Sequence, residues 1–298
     1  MAQHNNQKRV QIIGYASCYG AQDPRCETGP IALKNLQLQQ QLADANWQVS
    51  WSADITPTRA PENSQETLSV IIDNCKDLAR QTRQAISQDH HIIVIGGDHS
   101  CAIGTWSGVH KGLPDDSQLG LIWIDAHMDS HTMHSSPSGA IHGMPVACLL
   151  GHGEKSLCEI ESELPKVLPE NLCLIGIRSY EPEEAELLNR LGVRIFYMDD
   201  VNKLGLTEVL TQAKAHISKN SSHFGISLDL DAIDPHDAPG VGSPESGGLS
   251  GAALINALQN TELNENFVGI EITELNSSRD RVDKTARLAI EVILASLS

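Results

Sequence analysis

The sequence predicts an α/β fold: a single-domain, three-layer α/β/α arrangement around a mostly parallel central sheet. Short, continuous apolar runs such as His91–Ile95 and Leu119–Ile124 read as strands buried on both faces, the usual state of parallel strands. Stretches of helical spacing alternate with these runs along the whole chain, the pattern of a helix-covered parallel sheet. No internal repeat, low-complexity tract or linker divides the 298 residues, so one domain covering 1–298 is expected.

Taken in order, Arg9 to Gly14 reads as a first strand closed by glycine. A loop with Cys18, Gly20 and Cys26 follows, and Gly29-Pro30 opens a helix, since proline suits a first turn. Trp47 to Trp51 alternates apolar and polar residues, as a half-buried strand does. Thr56 to Ser64 is loop. Asn63-Ser64-Gln65-Glu66 has the form of a capping box, and Leu68, Ile71, Ile72, Cys75, Leu78, Ala79, Thr82 and Ile86 behind it keep helical spacing. Further strands are expected at Leu119–Ile124, Leu172–Ile177, Val193–Tyr197, His223–Leu228 and Phe267–Ile272. Helices are expected at Glu183–Leu191, Thr207–Ile217 and Gly251–Gln259, with a last one from about Asp283 to Leu297.

Composition narrows the partners. The formal charge of −17 and the 4% aromatic content argue against a phosphate-backbone or base-stacking ligand. No apolar run approaches the roughly 20 residues of a membrane span, and Met1 to Arg9 lacks the apolar core of a signal peptide. Seven scattered cysteines without a C-x-x-C read as reduced thiols in a cytoplasmic protein. The expected ligand is a small molecule, with neither nucleic acid nor membrane as partner.

Polar clusters close several of the expected strands. Gly96-Gly97-Asp98-His99-Ser100 follows one, Asp125-Ala126-His127-Met128-Asp129 closes the next, and Ser227-Leu228-Asp229-Leu230-Asp231 closes a third; Glu274 lies just past a fourth. In extended chain Asp125, His127 and Asp129 share a face, and open α/β sheets gather ligand groups at the carboxyl ends of strands. Close carboxylates repel unless a cation lies between them. His99, Asp125, Asp129 and Asp229 make one candidate ligand set, and Asp125, His127, Asp229 and Asp231 a second that shares carboxylates with it. Two imidazoles with four carboxylates suit borderline metals such as Mn, Zn, Fe or Ni better than Ca or Mg. Asp234, just before Pro235, reads instead as a turn residue that bonds nearby backbone.

In this order the clusters resemble the arginase/agmatinase/formimidoylglutamase (ureohydrolase) family, from Glu27-Thr28-Gly29-Pro30 to Glu271-Ile272-Thr273-Glu274-Leu275-Asn276. Ser135 to Pro145 is similar to the substrate loop of bacterial arginases. The resemblance implies two Mn2+ ions (Ni, Co or Fe being allowed by ligand type), attack of a metal-bridging hydroxide on a guanidinium, and release of urea, with L-arginine giving L-ornithine. It implies that Asp231 stabilises the intermediate and carries a proton, that Glu274 binds the guanidinium, and that His142 shuttles protons. It further assigns His131, Ser136, Ser138, Glu181, Glu184 and Ser243 to substrate binding, and homo-oligomers, trimers or hexamers, as the assembly. Four positions depart from the arginase pattern: His131 and Ala140 stand where arginases carry Asn, and Ser179 and Glu181 where they carry Asp. The alternatives are a related hydrolase of agmatine, guanidinobutyrate or formimidoylglutamate, a non-catalytic metal-binding scaffold, and, more remotely, a one-metal deacetylase.

Overall fold

The structure is a computed structural model and describes residues 7–263 and 266–298. The polar N-terminal stretch read from Met1 falls partly outside these residues. Among the described residues eight strands form one sheet: β1 (Arg9–Gly14), β2 (Gln48–Trp51), β3 (His91–Ile95), β4 (Leu119–Ile124), β5 (Leu172–Ile177), β6 (Arg194–Tyr197), β7 (His223–Asp229) and β8 (Phe267–Thr273). Their spatial order is β2-β1-β3-β8-β7-β4-β5-β6, and every pairing is parallel. The "mostly parallel" expectation is met in full.

The connecting helices are α1 (Gly29–Asn35), α2 (Leu38–Asp44), α3 (Ser64–Ser87), α4 (Cys101–Gly112), α5 (Pro145–Leu149), α6 (Lys155–Cys158), α7 (Pro182–Leu191), α8 (Met198–Leu204), α9 (Leu206–Ile217), α10 (Gly251–Asn260) and α11 (Lys284–Ser296). Side chains alternate across the strands and so feed two cores. Ile93, Ile95, Ile122 and Ile124 pack with residues of α1, α2 and α8 to α11. Ile92, Val94, Leu121 and Trp123 pack with α3, α4, α5 and α7. Among the described residues, no helix is long and apolar enough to cross a membrane.

Two local readings differ from expectation. At the start of α3, Asn63 Oδ1 accepts from the Glu66 backbone N–H at 3.0 Å, as a cap should. Glu66 turns its carboxylate to the Glu62 backbone N–H and the Asn63 side-chain amide instead of to the Asn63 backbone N–H that would complete the box. The thiol reading needs a larger correction. Cys18 and Cys26 form a disulfide, with Cα atoms 5.8 Å apart, because the loop after β1 turns back through a 3-10 turn at Pro24–Thr28. Cys75, Cys101, Cys148, Cys158 and Cys173 are free.

Candidate metal centre

The sheet order sets β3, β8, β7 and β4 side by side, so the polar groups beyond their carboxyl ends converge. After β3 the chain crosses to β4, and β7 and β8 later return to fill the space between them; open parallel sheets bind ligands in the crevice beyond the carboxyl ends of such strands. The loops are knitted tightly there. Asp98 N–H donates to Ser17 O at 3.2 Å and Glu274 N–H to Gly97 O at 2.8 Å; a Cβ on Gly97 would come 1.9 Å from Ser17 O, so only glycine fits.

His99 lies at the centre, 1% exposed. Its Nδ1 is 3.2, 3.1 and 3.2 Å from carboxylate oxygens of Asp125, Asp129 and Asp229. One ring nitrogen cannot point along its lone-pair axis at three oxygens, and no hydrogen bond satisfies it. His127 Nδ1 lies 3.5 Å from Asp125 and 3.2 Å from Asp231. Ligand atoms of His99, Asp125 and Asp229 fall within 4.8 Å of one another, as do those of Asp125, His127 and Asp231. An unsatisfied buried nitrogen amid converging carboxylates is the arrangement a cation resolves, and the mixed N/O donors fit borderline divalent ions. Trp123 stacks on the His99 ring at 4.1 Å and donates from Nε1 to Asp125 at 2.9 Å, fixing both groups.

The electrostatics express this crowding. Burial, with Asp231 and Asp125 adding repulsion, pushes Asp229 well above the usual carboxylate range. Burial and the neighbouring Asp125 likewise raise Asp129 and bring Asp231 to about 6. Burial opposes the charged form of Asp125 too, but the neighbouring His127 and His99 imidazoles outweigh it and hold its carboxyl below the usual range. Burial drives His99 toward neutrality, but Asp125, Asp129 and Asp229 overcome it and hold the imidazole well above its ordinary value.

A cleft of about 160 Å³ joins Asp129, Asp229 and Asp231 to His131, Ser136, Ser138, Ala140, His142, Glu181, Glu184 and Ser243. Glu274 lines an adjoining cleft with His142 and Ser243; its Oε1 accepts from the His99 backbone N–H at 3.0 Å and sits 3.1 Å from His142 Nδ1. Burial opposes a proton on His142, yet the bond to Glu274 raises its pKa to about 9. His131 Nε2 lies 3.0 Å from Glu181 and its Nδ1 3.1 Å from Ser135 Oγ. Glu184 caps α7: its oxygens accept from the Ser130 and Glu181 backbone N–H groups, and burial raises it to about 8. Ser136 and Ser138 accept from the backbone of Gly139 and Ala140. Asp234 accepts from the N–H groups of His236, Gly247 and Gly248, the turn role read for it.

Sequence reasoning passed over two residues here. Asp98, wholly buried, accepts from the N–H groups of Gly20 and Ser100 and ties the first loop to the site; its place beside His99 was the available signal. Arg178 donates to Gly176 O, Ala232 O, Asp231 O and Glu245 O, clamping the end of β5 to the loop of Asp231. A basic residue closing an apolar strand pointed to it.

Fold and cluster together define an α/β protein whose strand ends assemble a set of donors suited to paired divalent cations. A model described as Arginase family matches residues 8–298, and the chain belongs to that family. It is 36% identical over 294 residues to the arginase of Brevibacillus brevis, covering 96% of each chain. Against the arginase of Bacillus subtilis (strain 168) it is 36% identical over 290 residues, again with 96% of each covered. The native structure of Bacillus caldovelox arginase superimposes with a TM-score of 0.91 at 34% identity over 98% of each chain. Formimidoylglutamase of B. subtilis shares the fold, with a TM-score of 0.77 at 21% identity over 97% of this chain and 86% of that one.

Proposed function

We propose that this chain is a binuclear metal hydrolase that cleaves the guanidino C–N bond of L-arginine to L-ornithine and urea, all of 1–298 serving as one catalytic domain. The observation that carries it is the pair of donor sets meeting at Asp125. Manganese is the proposed metal, with Ni, Co and Fe compatible with the donors; His99, Asp125, Asp129 and Asp229 would hold one ion and Asp125, His127, Asp229 and Asp231 the other. When bound, such ions supply Lewis acidity and make water a stronger acid.

The protein's own groups supply the rest. Glu274 beside the cluster offers a carboxylate to the forked N–H donors of a guanidinium. Asp231, with a pKa raised to about 6, can hold a proton near neutrality and pass it to a leaving amine. His142, bonded to Glu274 at 3.1 Å and partly exposed, is placed to carry protons between the cleft and solvent. Ser136, Ser138, His131, Glu181, Glu184 and Ser243 are the proposed contacts to the remainder of the substrate. A cytoplasmic homo-oligomer, trimer or hexamer, completes the reading.

One observation favours a second reading, a different guanidino substrate. His131 and Glu181 satisfy each other at 3.0 Å, and Ala140 brings no polar side chain to the cleft. A missing bond to a charged substrate group costs about 1.5–3 kcal/mol, enough to change preference. The test is urea release by metal-free protein reconstituted with Mn, Ni or Co, with L-arginine, agmatine and guanidinobutyrate in parallel. Turnover of arginine that disappears in Asp129→Ala is expected. Turnover of another compound with arginine inert selects the second reading, and silence on all with two ions bound per chain overturns both.

A further inference from the structure

Glu271 is a carboxylate in the middle of β8, wholly buried and unused by the chemistry above. Four donors converge on it. Trp106 Nε1 and Ser227 Oγ donate to Oε1 at 3.1 and 2.8 Å; Thr105 Oγ1 and Cys101 Sγ donate to Oε2. Three of these lie on α4, so they bind the helix to the sheet. Ser227 is different, because its oxygen also stands 3.0 Å from His99 Nε2.

A serine hydroxyl has one proton. Once Ser227 spends it on Glu271, its oxygen toward His99 can only accept, so Nε2 must carry the hydrogen. In a neutral imidazole that leaves the lone pair on Nδ1, the atom facing Asp125, Asp129 and Asp229. We propose that Glu271 is a positioning residue for the His99 cation site: through the Ser227 hydroxyl it keeps the hydrogen on Nε2 and leaves Nδ1 free to bind metal. The inference rests on the two-cation reading of the cluster and adds an element two bonds removed from it. Without an acceptor at position 271, the Ser227 hydroxyl is free to turn and donate to Nε2, which selects the opposite tautomer.

Glu271→Met and Glu271→Gln have nearly the same size and differ in keeping an acceptor oxygen. Mn2+ affinity is measured by calorimetric titration of each, of Ser227→Ala, and of Ser227→Ala/Glu271→Met, with melting curves reporting the fold. The His99 Nε2–H resonance is followed by 15N NMR in metal-free and zinc-loaded protein. Disturbing the outer partner of a metal-binding histidine costs about 10–100-fold in affinity. Met is expected to lose that much for one ion and to shift the Nε2–H signal, while Gln stays within about threefold. In the Ser227→Ala background Met is expected to add no further loss, since the path runs through that hydroxyl. Wild-type affinity in Glu271→Met, or an equal loss with and without Ser227, overturns the proposal. Should Glu271→Met fail to fold, wild-type affinity and an unshifted Nε2–H in Ser227→Ala overturn it. Absence of metal binding by the wild-type protein would instead sink the two-cation reading, and metal-free spectra recorded at a pH where His99 is neutral would still report which ring nitrogen carries the hydrogen.

Discussion

Asp129 is held at φ 49° and Glu274 at φ 64°, in the left-handed region that side-chain-bearing residues avoid. Each such residue costs of order 1 kcal/mol or more, a cost found where geometry is held for function. Asp129 lies 3.1 Å from His99 Nδ1, so Asp129→Ala is expected to remove one donor and lower kcat/KM by at least about a hundredfold, with activity restored in part by excess Mn2+. Near-normal rates at limiting metal would contradict the assignment. His142 supports a prediction in pH. Its pKa in the folded protein, about 9, exceeds its ordinary value, so the folded state holds the proton more tightly. The stabilisation is therefore complete below about pH 6.5 and lost as pH rises through about 9. The ring is 27% exposed, and solvent screening reduces the effect to about 1–3 kcal/mol. Urea melts of metal-free wild type and His142→Asn should differ by that amount at pH 6 and converge at pH 10.5. A constant difference would mean that the Glu274 pairing does not contribute.

At the scale of elements, the strands could be read because burial on both faces leaves a continuous apolar run. β3 and β4 match their expected bounds, and β7 and β8 run one residue further. Helix α4 could not be read for a related reason. Cys101 to Val109 are all buried, so no polar face marks a helical period, and Gly104, Gly108 and Gly112 look like loop. Those glycines are what bring α3 close: a Cβ on Gly108 would meet Thr82 Oγ1 at 2.0 Å and Ala79 O at 2.1 Å. Alanine would favour the isolated helix by about 1 kcal/mol, but overpacking costs about 1–3 kcal/mol and prevails where the obstacle is backbone. Gly108→Ala is expected to lower the midpoint of urea unfolding; an unchanged or higher midpoint would show that α3 and α4 can part freely. The same contrast governs the site. Strand-end residues such as Asp125 and Asp229 advertise themselves by ending an apolar run. Glu271 lies inside one, and a lone acid in Phe267–Thr273 was the signal to follow. The pairing of His131 with Glu181 depends on how the loop after β4 meets the start of α7, which spacing along the chain does not encode.

Across the whole molecule, the formal charge of −17 is least tolerable where Asp125, Asp129, Asp229 and Asp231 lie together in the interior. Burial and repulsion among them disfavour the ionised cluster, as the raised pKa values of Asp129 and Asp229 record. Two divalent cations would match the four carboxylates charge for charge. Binding to the folded chain alone stabilises it by RT ln(1 + [L]/Kd), about 2.7 kcal/mol per site at a hundredfold excess over Kd. For a chain of 298 residues each site should raise the melting temperature by roughly 4 °C. Chelation should reverse the rise, and Asp229→Ala, which takes a carboxylate from both donor sets, should suppress most of it. Equal melting temperatures with and without Mn2+ at that excess would separate the cluster from metal binding. A rise retained in Asp229→Ala would place the stabilising ion elsewhere on the acidic surface.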